Sequence, residues 1–281
     1  MNPRTVRDAL VAATGRLAGA GIGDPGRDAR ILTAAALEIS PDRLTLAMPD
    51  PISIETEKRL ETMIDRRMRH QPVSQITGRR GFWGRDFRVT PDVLDPRPET
   101  ETLIALALDG PTPDGILDLG TGTGAILLTL LAEFPSAHGV GADVSPRALE
   151  VARANARDLG LEDRVDFVQS DWTAEVTGSF DLIVCNPPYI PQAAVENLMP
   201  DVRNWEPHLA LTPGESGLED YQAIAAQLEG VMSPRSRALF EFGEGQAPDV
   251  ASIFKNAGFE RVEIHRDMDE RERVAEILLK F

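Results

Sequence analysis

The residues best suited to chemistry are Asn186-Pro187-Pro188-Tyr189. They follow residues 180–185, whose last four are apolar in a row, as is typical of a strand buried on both faces, and two prolines cannot continue a sheet ladder. A rigid asparagine at the end of a strand offers an acceptor and a donor, and the Pro187 carbonyl adds a second acceptor. With Tyr189 as a flat wall, the loop suits a planar amine or amide whose nitrogen must attack another group. The alternative is a simple turn, because Asn-Pro commonly ends strands.

A glycine loop precedes this run and lies between a predicted strand, residues 116–119, and a predicted apolar helix, residues 125–134. Glycines let a ligand approach the backbone closely, and the helix N-terminus faces that ligand. No Gly-Lys-Ser/Thr follows, and the spacing is not Gly-x-Gly-x-x-Gly, so neither a P-loop nor a dinucleotide loop is indicated. The unit consists of Asp118, which lies in the strand, and the loop residues Gly120, Thr121, Gly122, Thr123 and Gly124.

Acidic residues end the next two predicted strands. Asp143 follows the strand at 139–142, where a carboxylate can accept both hydroxyls of a ribose. Asp171 and Trp172 follow the strand at 165–168, where they can bind an adenine amino group and cover the ring. The alternatives are a plain turn at Asp143 and, at the third strand, a turn with a partly buried tryptophan.

Composition favours a globular protein: 42% of the 281 residues are hydrophobic and 26% are charged. No apolar run approaches the ~20 residues of a membrane span, and no signal-peptide core begins the chain, so we predict a cytoplasmic protein with no membrane contact.

The net charge of −16 argues against a protein that holds long nucleic acid through many phosphates. A local basic patch is still conceivable at Arg79, Arg80, Arg85 and Arg88.

The single cysteine, Cys185, rules out an internal disulfide and is predicted to be a small buried hydrophobe rather than a catalytic thiol. The four histidines show no metal-ligand spacing, so we predict no metal.

Three regions are expected along the chain. Residues 1–75 read as a helical domain, with helix starts at Asp24-Pro25 and Ser53, that either recognises a partner or is a structural cap. Residues 76–100 read as a linker with a short hairpin. Residues 101–281 alternate strands and helices, which predicts a doubly wound α/β sheet.

Smaller features complete this prediction. Four charged residues precede or begin a predicted helix and form either a solvated helix start or the wall of a site: Asp95, Arg97, Glu99 and Glu101. Residues 190–217 are predicted to form a long loop, and loops of this length often have a function. The later elements are predicted as helices at 218–231 and 247–257 and strands at 237–242, 260–265 and 273–279.

In combination, these motifs resemble those of class I S-adenosylmethionine-dependent methyltransferases. The resemblance implies a seven-stranded Rossmann-like sheet, S-adenosyl-L-methionine as cofactor and S-adenosyl-L-homocysteine as product. The cofactor-binding residues it implies are Asp118, Gly120, Thr121, Gly122, Thr123, Gly124, Asp143, Asp171, Trp172 and Asn186. Asn-Pro-Pro-Tyr is shared by enzymes that methylate planar nitrogens.

The flanking residues are similar to those of the release factor glutamine methyltransferases. The similar segments are Gln71-Pro72-Val73, Phe82-Trp83, 94–101, Glu206-Pro207 and Glu241-Phe242-Gly243 with Gln246. This resemblance implies a five-helix N-terminal substrate-recognition domain and protein-(glutamine) N-methyltransferase activity on the Gly-Gly-Gln loop of class I peptide chain release factors. It also implies that Asn186, Pro187 and Tyr189 are catalytic and that Pro188 joins them in binding substrate.

The chain departs from that family at Gln75, at Asp95 and across residues 267–271, which puts fine substrate preference in doubt more than chemistry. We expect a monomer that binds no nucleic acid directly. Three alternatives remain: an adenine or cytosine amino-group methyltransferase acting on nucleic acid, an enzyme that methylates a ribosomal protein glutamine, and a non-catalytic S-adenosylmethionine-binding module.

Overall fold

The computed structural model describes residues 4–279. They form two compact units, each with its own hydrophobic core. One unit contains the chain up to Gly78 together with Met199–Trp205, and the other contains Arg79–Leu198 and the chain from Glu206 onward.

The first unit is helical. Its core joins Leu17, Leu32, Leu44 and Ile64 from successive helices. The predicted helix starts at Asp24 and Ser53 are confirmed, because each of these side chains accepts a hydrogen bond from the first turn that follows it. The helices are α1 (Val6–Gly19), α2 (Pro25–Ala36), α3 (Leu44–Ala47), α4 (Ile54–Met68), α5 (Val73–Thr77) and, from the later segment, α9 (Pro200–Arg203).

The later segment is fixed within this unit by polar contacts. The Arg67 guanidinium lies 2.7 Å from Asp201, and His70 Nδ1 lies 3.0 Å from the same carboxylate. The Trp205 indole donates to the Arg69 carbonyl at 3.0 Å. Gln75, one of the departures from the family pattern, donates to the Trp205 carbonyl at 2.8 Å, so a buried amide takes part in the same attachment.

The second unit contains the predicted seven-stranded sheet. Its strand order is β5-β4-β3-β6-β7-β9-β8, and every pairing is parallel except those of β9. The strands are β3 (Gly115–Leu119), β4 (His138–Asp143), β5 (Val165–Gln169), β6 (Phe180–Cys185), β7 (Met232–Glu241), β8 (Arg261–Arg266) and β9 (Glu272–Leu278). The apolar run at 180–185 is therefore a strand, as predicted.

Helices cover both faces of this sheet, which explains why its central strands are apolar throughout. Ile183 and Cys185 of β6 belong to one core with Tyr221 and Phe254, whereas Val184 belongs to the core on the opposite face. The helices are α6 (Glu101–Leu108), α7 (Ala125–Glu133), α8 (Pro146–Leu159), α10 (Glu219–Gln227) and α11 (Ala247–Asn256).

The predicted hairpin is present as β1 (Arg79–Phe82) and β2 (Arg85–Arg88). Both turn residues, Trp83 and Gly84, have positive φ, as the favoured two-residue turns require. Three of the four arginines of the predicted basic patch pair with carboxylates: Arg80 lies 3.7 Å from Asp95, and two others contact carboxylates more closely. Those closer pairs are Arg85 with Glu133 and Arg88 with Asp158.

Some element boundaries differ from the prediction. Strand β7 begins at Met232 rather than at residue 237, because its pairing with β6 shifts register between Phe180 and Leu182. The predicted helix at 218–231 is α10 followed by a 3-10 turn, Leu228–Val231. The predicted loop at 190–217 contains α9 and two 3-10 helices, Gln192–Asn197 and His208–Ala210. Across residues 4–279, no helix combines the length and apolarity needed to span a membrane.

Candidate active site

The register of the sheet gathers the predicted chemistry at one edge. Leu119 of β3 pairs with Ala142 of β4 on one side and with Cys185 of β6 on the other. Cys185 in turn pairs with Phe240 of β7. The next residue of each strand, namely Gly120, Asp143, Asn186 and Glu241, therefore leaves the pairing at the same carboxyl edge, where α/β sheets place their ligands.

A cavity of about 310 Å³ opens at this edge. This volume falls within the range of small-molecule sites, roughly 300–1,000 Å³. The predicted residues that line it are Gly120, Gly122, Asp143, Asp171, Trp172, Asn186 and Pro188. The other predicted residues lie behind the lining or beside it: Asp118, Thr121, Thr123, Gly124, Pro187 and Tyr189.

The glycine loop is held by backbone hydrogen bonds. Gly120 and Gly122 adopt φ of +69° and +55°, a region that residues with a Cβ seldom occupy. The Thr121 N–H donates to the Ala142 carbonyl at 2.9 Å, and the Gly122 N–H donates to Asp143 Oδ2 at 2.9 Å. The loop is therefore attached to the end of β4 at two points and presents backbone to the cavity.

Asp118 is a fully buried carboxylate beneath this loop. Its Oδ2 accepts a hydrogen bond from the Thr121 hydroxyl at 2.6 Å, whereas Oδ1 has no hydrogen-bond partner. Burial raises the pKa of Asp118 to about 7, and the Thr121 bond opposes that rise. The loop thus covers a carboxyl group whose ionised form lacks full compensation, so a cationic ligand nearby would stabilise that form.

Asn155 is a structural residue of the site whose role sequence reasoning missed. It is buried on α8. Its Nδ2 donates to the Thr123 carbonyl at 2.8 Å, and its Oδ1 accepts from the Arg88 N–H at 2.7 Å. One side chain therefore connects the glycine loop to the hairpin, a role that its helical spacing could not reveal.

Asp143 faces the cavity from the end of β4. Besides the bond from Gly122, its Oδ1 accepts from the Ser145 N–H at 2.9 Å. Burial raises the pKa of Asp143, and these two backbone bonds oppose the rise. An ionised carboxylate has about four acceptor sites, so two remain for hydroxyl groups of a ligand.

Trp172 closes another side of the cavity. It has a positive φ of 52°, and its ring lies 3.5 Å from where a Cβ on Gly120 would stand. Asp220, a residue that sequence reasoning missed, lines the same cavity as Trp172. Burial raises the pKa of Asp220 to about 6, and the nearby Asp171 raises it further. Asp220 lies in the first turn of α10, far along the chain, so only the fold places it here.

Asn186 is oriented by a side chain from another element. Its Nδ2 donates to the hydroxyl of Thr100 at 3.2 Å, and Thr100 is buried just before α6. Because the amino group points toward Thr100, the carbonyl Oδ1 is the end left for the cavity. Sequence reasoning expected an acceptor from Asn186 but had no signal for its partner.

Tyr189 is held through its backbone. Gln246 Nε2 donates to the Tyr189 carbonyl at 2.9 Å, while Gln246 Oε1 accepts from the Gly243 N–H at 2.9 Å. Burial raises the pKa of the Tyr189 phenol to about 12, and the negative charge of Glu241 adds to this. The phenol therefore remains protonated at neutral pH and offers a wall rather than a base.

The segment from Asp95 to Glu101 is neither fully solvated nor part of the cavity lining. Arg97 Nη2 lies 2.7 Å from both carboxylate oxygens of Glu206, a charge-assisted contact made by a single guanidinium nitrogen. Glu101 accepts from the Trp83 N–H at 2.9 Å. The cavity wall comes instead from neighbouring residues that carried no recognisable motif: Asp92, Val93, Leu94, Pro207, Leu209 and Ala210.

Cys185, which immediately precedes Asn186, is fully buried, and burial raises the pKa of its thiol well above the usual value. It is therefore not a nucleophile at neutral pH, in agreement with its prediction as a core residue.

Among residues 4–279, ligand atoms of Glu263, His265 and Glu276 lie within 4.8 Å of one another on β8 and β9. Glu276 already accepts from Arg237 and lies 2.9 Å from His265 Nε2, so these groups are paired with one another. The absence of a bound metal stays a prediction.

Comparisons with known proteins agree with this architecture. The family described as Methyltransferase small domain matches residues 99–201, and the family described as PrmC N-terminal domain matches residues 8–78. The chain is 52% identical to the release factor glutamine methyltransferase of Cereibacter sphaeroides, over 95% of this chain and 96% of that one. It is 46% identical to the protein of the same description from Rhodospirillum rubrum, over 92% of this chain and 80% of that one.

A solved structure shares the fold at low sequence identity. The ribosomal protein L11 methylase from Lactobacillus delbrueckii subsp. bulgaricus aligns with a TM-score of 0.51 and 19% identity, covering 69% of this chain and 86% of that one. At this identity the likeness concerns the fold alone.

Proposed function

The chain belongs to the release factor glutamine methyltransferase family, and we propose that it methylates the glutamine of the Gly-Gly-Gln motif in class I peptide chain release factors. The methyl group goes from S-adenosyl-L-methionine to the side-chain amide nitrogen, and the modified protein acts in translation termination. The observation that carries the proposal is the Asn186 amide, which Thr100 holds at the cavity with its carbonyl end left for a substrate N–H.

The site is chemically suited to this cofactor. S-adenosyl-L-methionine bears a sulfonium and an ammonium group, and the cavity has Asp143, Asp171 and Asp220 in its lining with Asp118 buried beneath the loop. Opposite charges in a poorly solvated site attract far more strongly than in water. The negative groups, among them one carboxylate oxygen without a partner, therefore favour a cationic ligand.

Each part of the site has a proposed role toward the cofactor. Asp143 accepts the ribose hydroxyls, Asp171 accepts the adenine amino group, and Trp172 covers the adenine ring. The remaining cofactor-binding residues are Asp118, Gly120, Thr121, Gly122, Thr123, Gly124 and Asn186. When bound, the cofactor supplies an activated methyl group that a nitrogen takes up by in-line displacement, leaving S-adenosyl-L-homocysteine.

The Asn-Pro-Pro-Tyr loop prepares the acceptor. An amide nitrogen is a poor nucleophile because its lone pair is delocalised, so orientation and charge stabilisation must supply the acceleration. Asn186 Oδ1 and the Pro187 carbonyl accept the two N–H groups of the glutamine amide and oppose the positive charge that grows on nitrogen. Pro188 and Tyr189 form the wall against the planar amide. The Tyr189 phenol stays protonated and is therefore not the base, and we propose that the proton lost by the substrate nitrogen passes to water.

The remaining assignments follow from this substrate. We propose that residues 1–75 form a helical domain that recognises the release factor, that residues 76–100 form a hairpin linker and that residues 101–281 form the catalytic domain. Release factors act on cytoplasmic ribosomes, so the protein is assigned to the cytoplasm, where a chain with one buried cysteine needs no disulfide. It is assigned as a monomer that engages protein rather than nucleic acid.

The test measures transfer of labelled methyl from S-adenosyl-L-methionine to a purified class I release factor. Its control is the same factor with the Gly-Gly-Gln glutamine changed to alanine, and duplex DNA and a ribosomal protein mixture are tested beside it. We expect label on the intact factor alone.

Two results would contradict the proposal. Equal label on both forms of the factor would place the methyl group on another residue. Label on DNA or on a ribosomal protein, with none on the factor, would replace the substrate class while keeping the methyltransferase chemistry.

A further inference from the structure

We propose that Leu209 is a substrate-contact residue that favours glycine beside the acceptor glutamine. The inference rests on the proposed function, because it concerns how the same site receives the Gly-Gly-Gln loop of a release factor. It assigns a role to the segment from Glu206 to Leu211, which contributes apolar residues to the cavity wall.

This segment is held at both ends within the unit that contains the sheet. At its start, Arg97 Nη2 lies 2.7 Å from both carboxylate oxygens of Glu206. Arginine has only donors, so this contact can form with the buried carboxyl in either protonation state. At its end, the Leu211 carbonyl accepts from the Ile190 N–H at 3.0 Å, immediately after the Asn-Pro-Pro-Tyr loop. The 3-10 turn between these contacts, His208–Ala210, is therefore fixed beside that loop.

Leu209 stands at the open rim of the cavity. It lines the cavity and yet is 60% exposed, so its side chain lies at the mouth rather than in the interior. A single exposed apolar residue ordinarily needs no explanation, as at Met268, which is 100% exposed in the turn between β8 and β9. Leu209 differs from Met268 because a ligand that enters the cavity has to pass the rim.

The wall around Leu209 is apolar and uncharged. Pro188, Pro207, Leu209 and Ala210 all line the cavity, whereas the acidic residues of the lining come from other elements, as Asp143 does from the end of β4. A sulfonium or ammonium group gains nothing from an apolar wall, but the methylene groups of a neutral peptide are stabilised when they leave water there. We therefore assign this wall to the protein substrate rather than to the cofactor.

Glycine suits this rim for a steric reason. A glutamine side chain is short, so its amide reaches Asn186 only if the neighbouring backbone comes close to the rim. A residue without a Cβ lets the backbone approach another surface closely. Here that surface is the branched side chain of Leu209 together with the ring of Pro188 in the same lining. Leu209 thus contacts a glycine before the glutamine and crowds any larger residue at that position.

The first test compares Leu209→Ala with the wild type in steady-state methylation of a release factor. We expect KM for the release factor to rise about 10-fold, the effect of losing part of the burial of a leucine. We expect kcat and the Kd for S-adenosyl-L-homocysteine, measured by calorimetry, to stay within about twofold, because Leu209 is assigned no contact with the cofactor. Met268→Ala, an exposed apolar residue outside the cavity, is the matched control and should behave as wild type.

Two results of this test would overturn the proposal. A rise in the Kd for S-adenosyl-L-homocysteine as large as any rise in KM would assign Leu209 to the cofactor. Values for Leu209→Ala equal to those for Met268→Ala would leave the residue without a role in binding. Because Leu209 is exposed, we expect its replacement to leave the thermal unfolding midpoint unchanged, which separates a change in KM from a loss of folded protein.

A double-mutant cycle across the interface tests the selection of glycine. The substrate is a release factor with alanine in place of the glycine that precedes the glutamine. With the wild-type enzyme we expect this change to lower kcat/KM about 30-fold, because the added methyl group is crowded against Leu209. With Leu209→Ala the loss should shrink to about fivefold.

The cycle isolates the contact with Leu209. Any strain that alanine causes within the release-factor loop is the same with both enzymes and cancels from the comparison. Equal losses with the two enzymes would overturn the selection of glycine by Leu209.

The wild-type reaction keeps the two proposals apart. If the wild-type protein does not methylate a release factor, the proposed function fails. If it does, and Leu209→Ala matches it in KM and in the cycle, only the role of Leu209 fails.

Discussion

The two halves of the candidate site are built in different ways. The cofactor half, around the glycine loop and Asp143, is held mostly by backbone groups of adjacent strands: the Thr121 N–H bonds to Ala142, and the Gly122 and Ser145 N–H groups bond to Asp143. The acceptor half, around Asn186 and Tyr189, is held by side chains from remote elements.

In the acceptor half, Thr100 precedes α6 and contacts Asn186, and Gln246 precedes α11 and contacts Tyr189. In both halves the residues that follow the strands form motifs in the sequence, whereas the remote side chains that hold the acceptor half do not. The difference also implies that changes in the acceptor half alter turnover and that changes in the cofactor half alter cofactor affinity.

The largest expected effect is the loss of kcat on changing Asn186, the central residue of the acceptor half. Asn186→Ala removes the acceptor that opposes charge on the attacked nitrogen, so we expect kcat to fall by about 10²–10³, as for other oriented hydrogen-bond groups. The Kd for S-adenosyl-L-homocysteine, measured by calorimetry, should change far less. Asn256→Ala, at the exposed end of α11, is the matched control and should behave as wild type. Proportionate losses of turnover and cofactor binding would erase the distinction between the halves.

A smaller effect, of the opposite kind, is expected in the cofactor half. Asp143→Ala removes the acceptor for two hydroxyls and frees two backbone N–H groups. We expect the Kd for S-adenosyl-L-methionine to rise about 10- to 100-fold, the effect of one or two charge-assisted hydrogen bonds. At saturating cofactor, kcat should recover most of its value. Asp166→Ala on the exposed face of β5 serves as control. A loss of kcat that saturation cannot restore would contradict this division.

Gln246 tests whether the backbone of the Asn-Pro-Pro-Tyr loop needs its remote support. Gln246→Glu keeps the oxygen that accepts from Gly243 but places a second oxygen against the Tyr189 carbonyl. We expect kcat to fall about 10-fold through displacement of the loop, with unchanged cofactor affinity. Gln222→Glu on α10 introduces the same charge at an exposed position. If both variants lower kcat equally, charge rather than positioning is responsible.

The smallest effect concerns the buried carboxylate of the cofactor half. The pKa of Asp118 is about 7 in the folded protein, against 3.8 for an unperturbed aspartate, so the folded state holds this proton more tightly. Its contribution to stability is therefore greatest at low pH and declines as pH rises from about 4 to 7. The Asp118→Asn variant lacks this decline in stability, because its amide does not titrate.

The measurement is the free energy of unfolding in urea for both proteins. Between pH 5 and pH 6, the free energy of unfolding of Asp118→Asn should rise by about 1 kcal/mol relative to that of the wild type. Other carboxyls with raised pKa are common to both proteins and cancel. Asp109→Asn, at an exposed position, should show no such shift, and parallel curves for Asp118→Asn would contradict the raised pKa.

The sequence by itself determined the order of elements and the motifs at their ends. Alternating strands and helices fixed the doubly wound sheet, and the apolar run at 180–185 identified its most buried strand. The glycine loop, Asp143, Trp172 and Asn186 were found because each directly follows a predicted strand. Strands that run parallel must bring their carboxyl ends to one edge, so local pattern was sufficient for those residues.

Only the tertiary structure decided what supports those motifs. Thr100, Asn155 and Asp220 are distant in sequence from the site residues beside which the fold places them, and none stands in a pattern that predicts its partner. Their roles arise from strand register and from helix packing, which place an end of β7 beside Asn186 and the first turn of α10 beside Trp172. Hydrogen bonds between remote side chains leave no periodicity, so the orientation of the reacting amide became visible only in the folded chain.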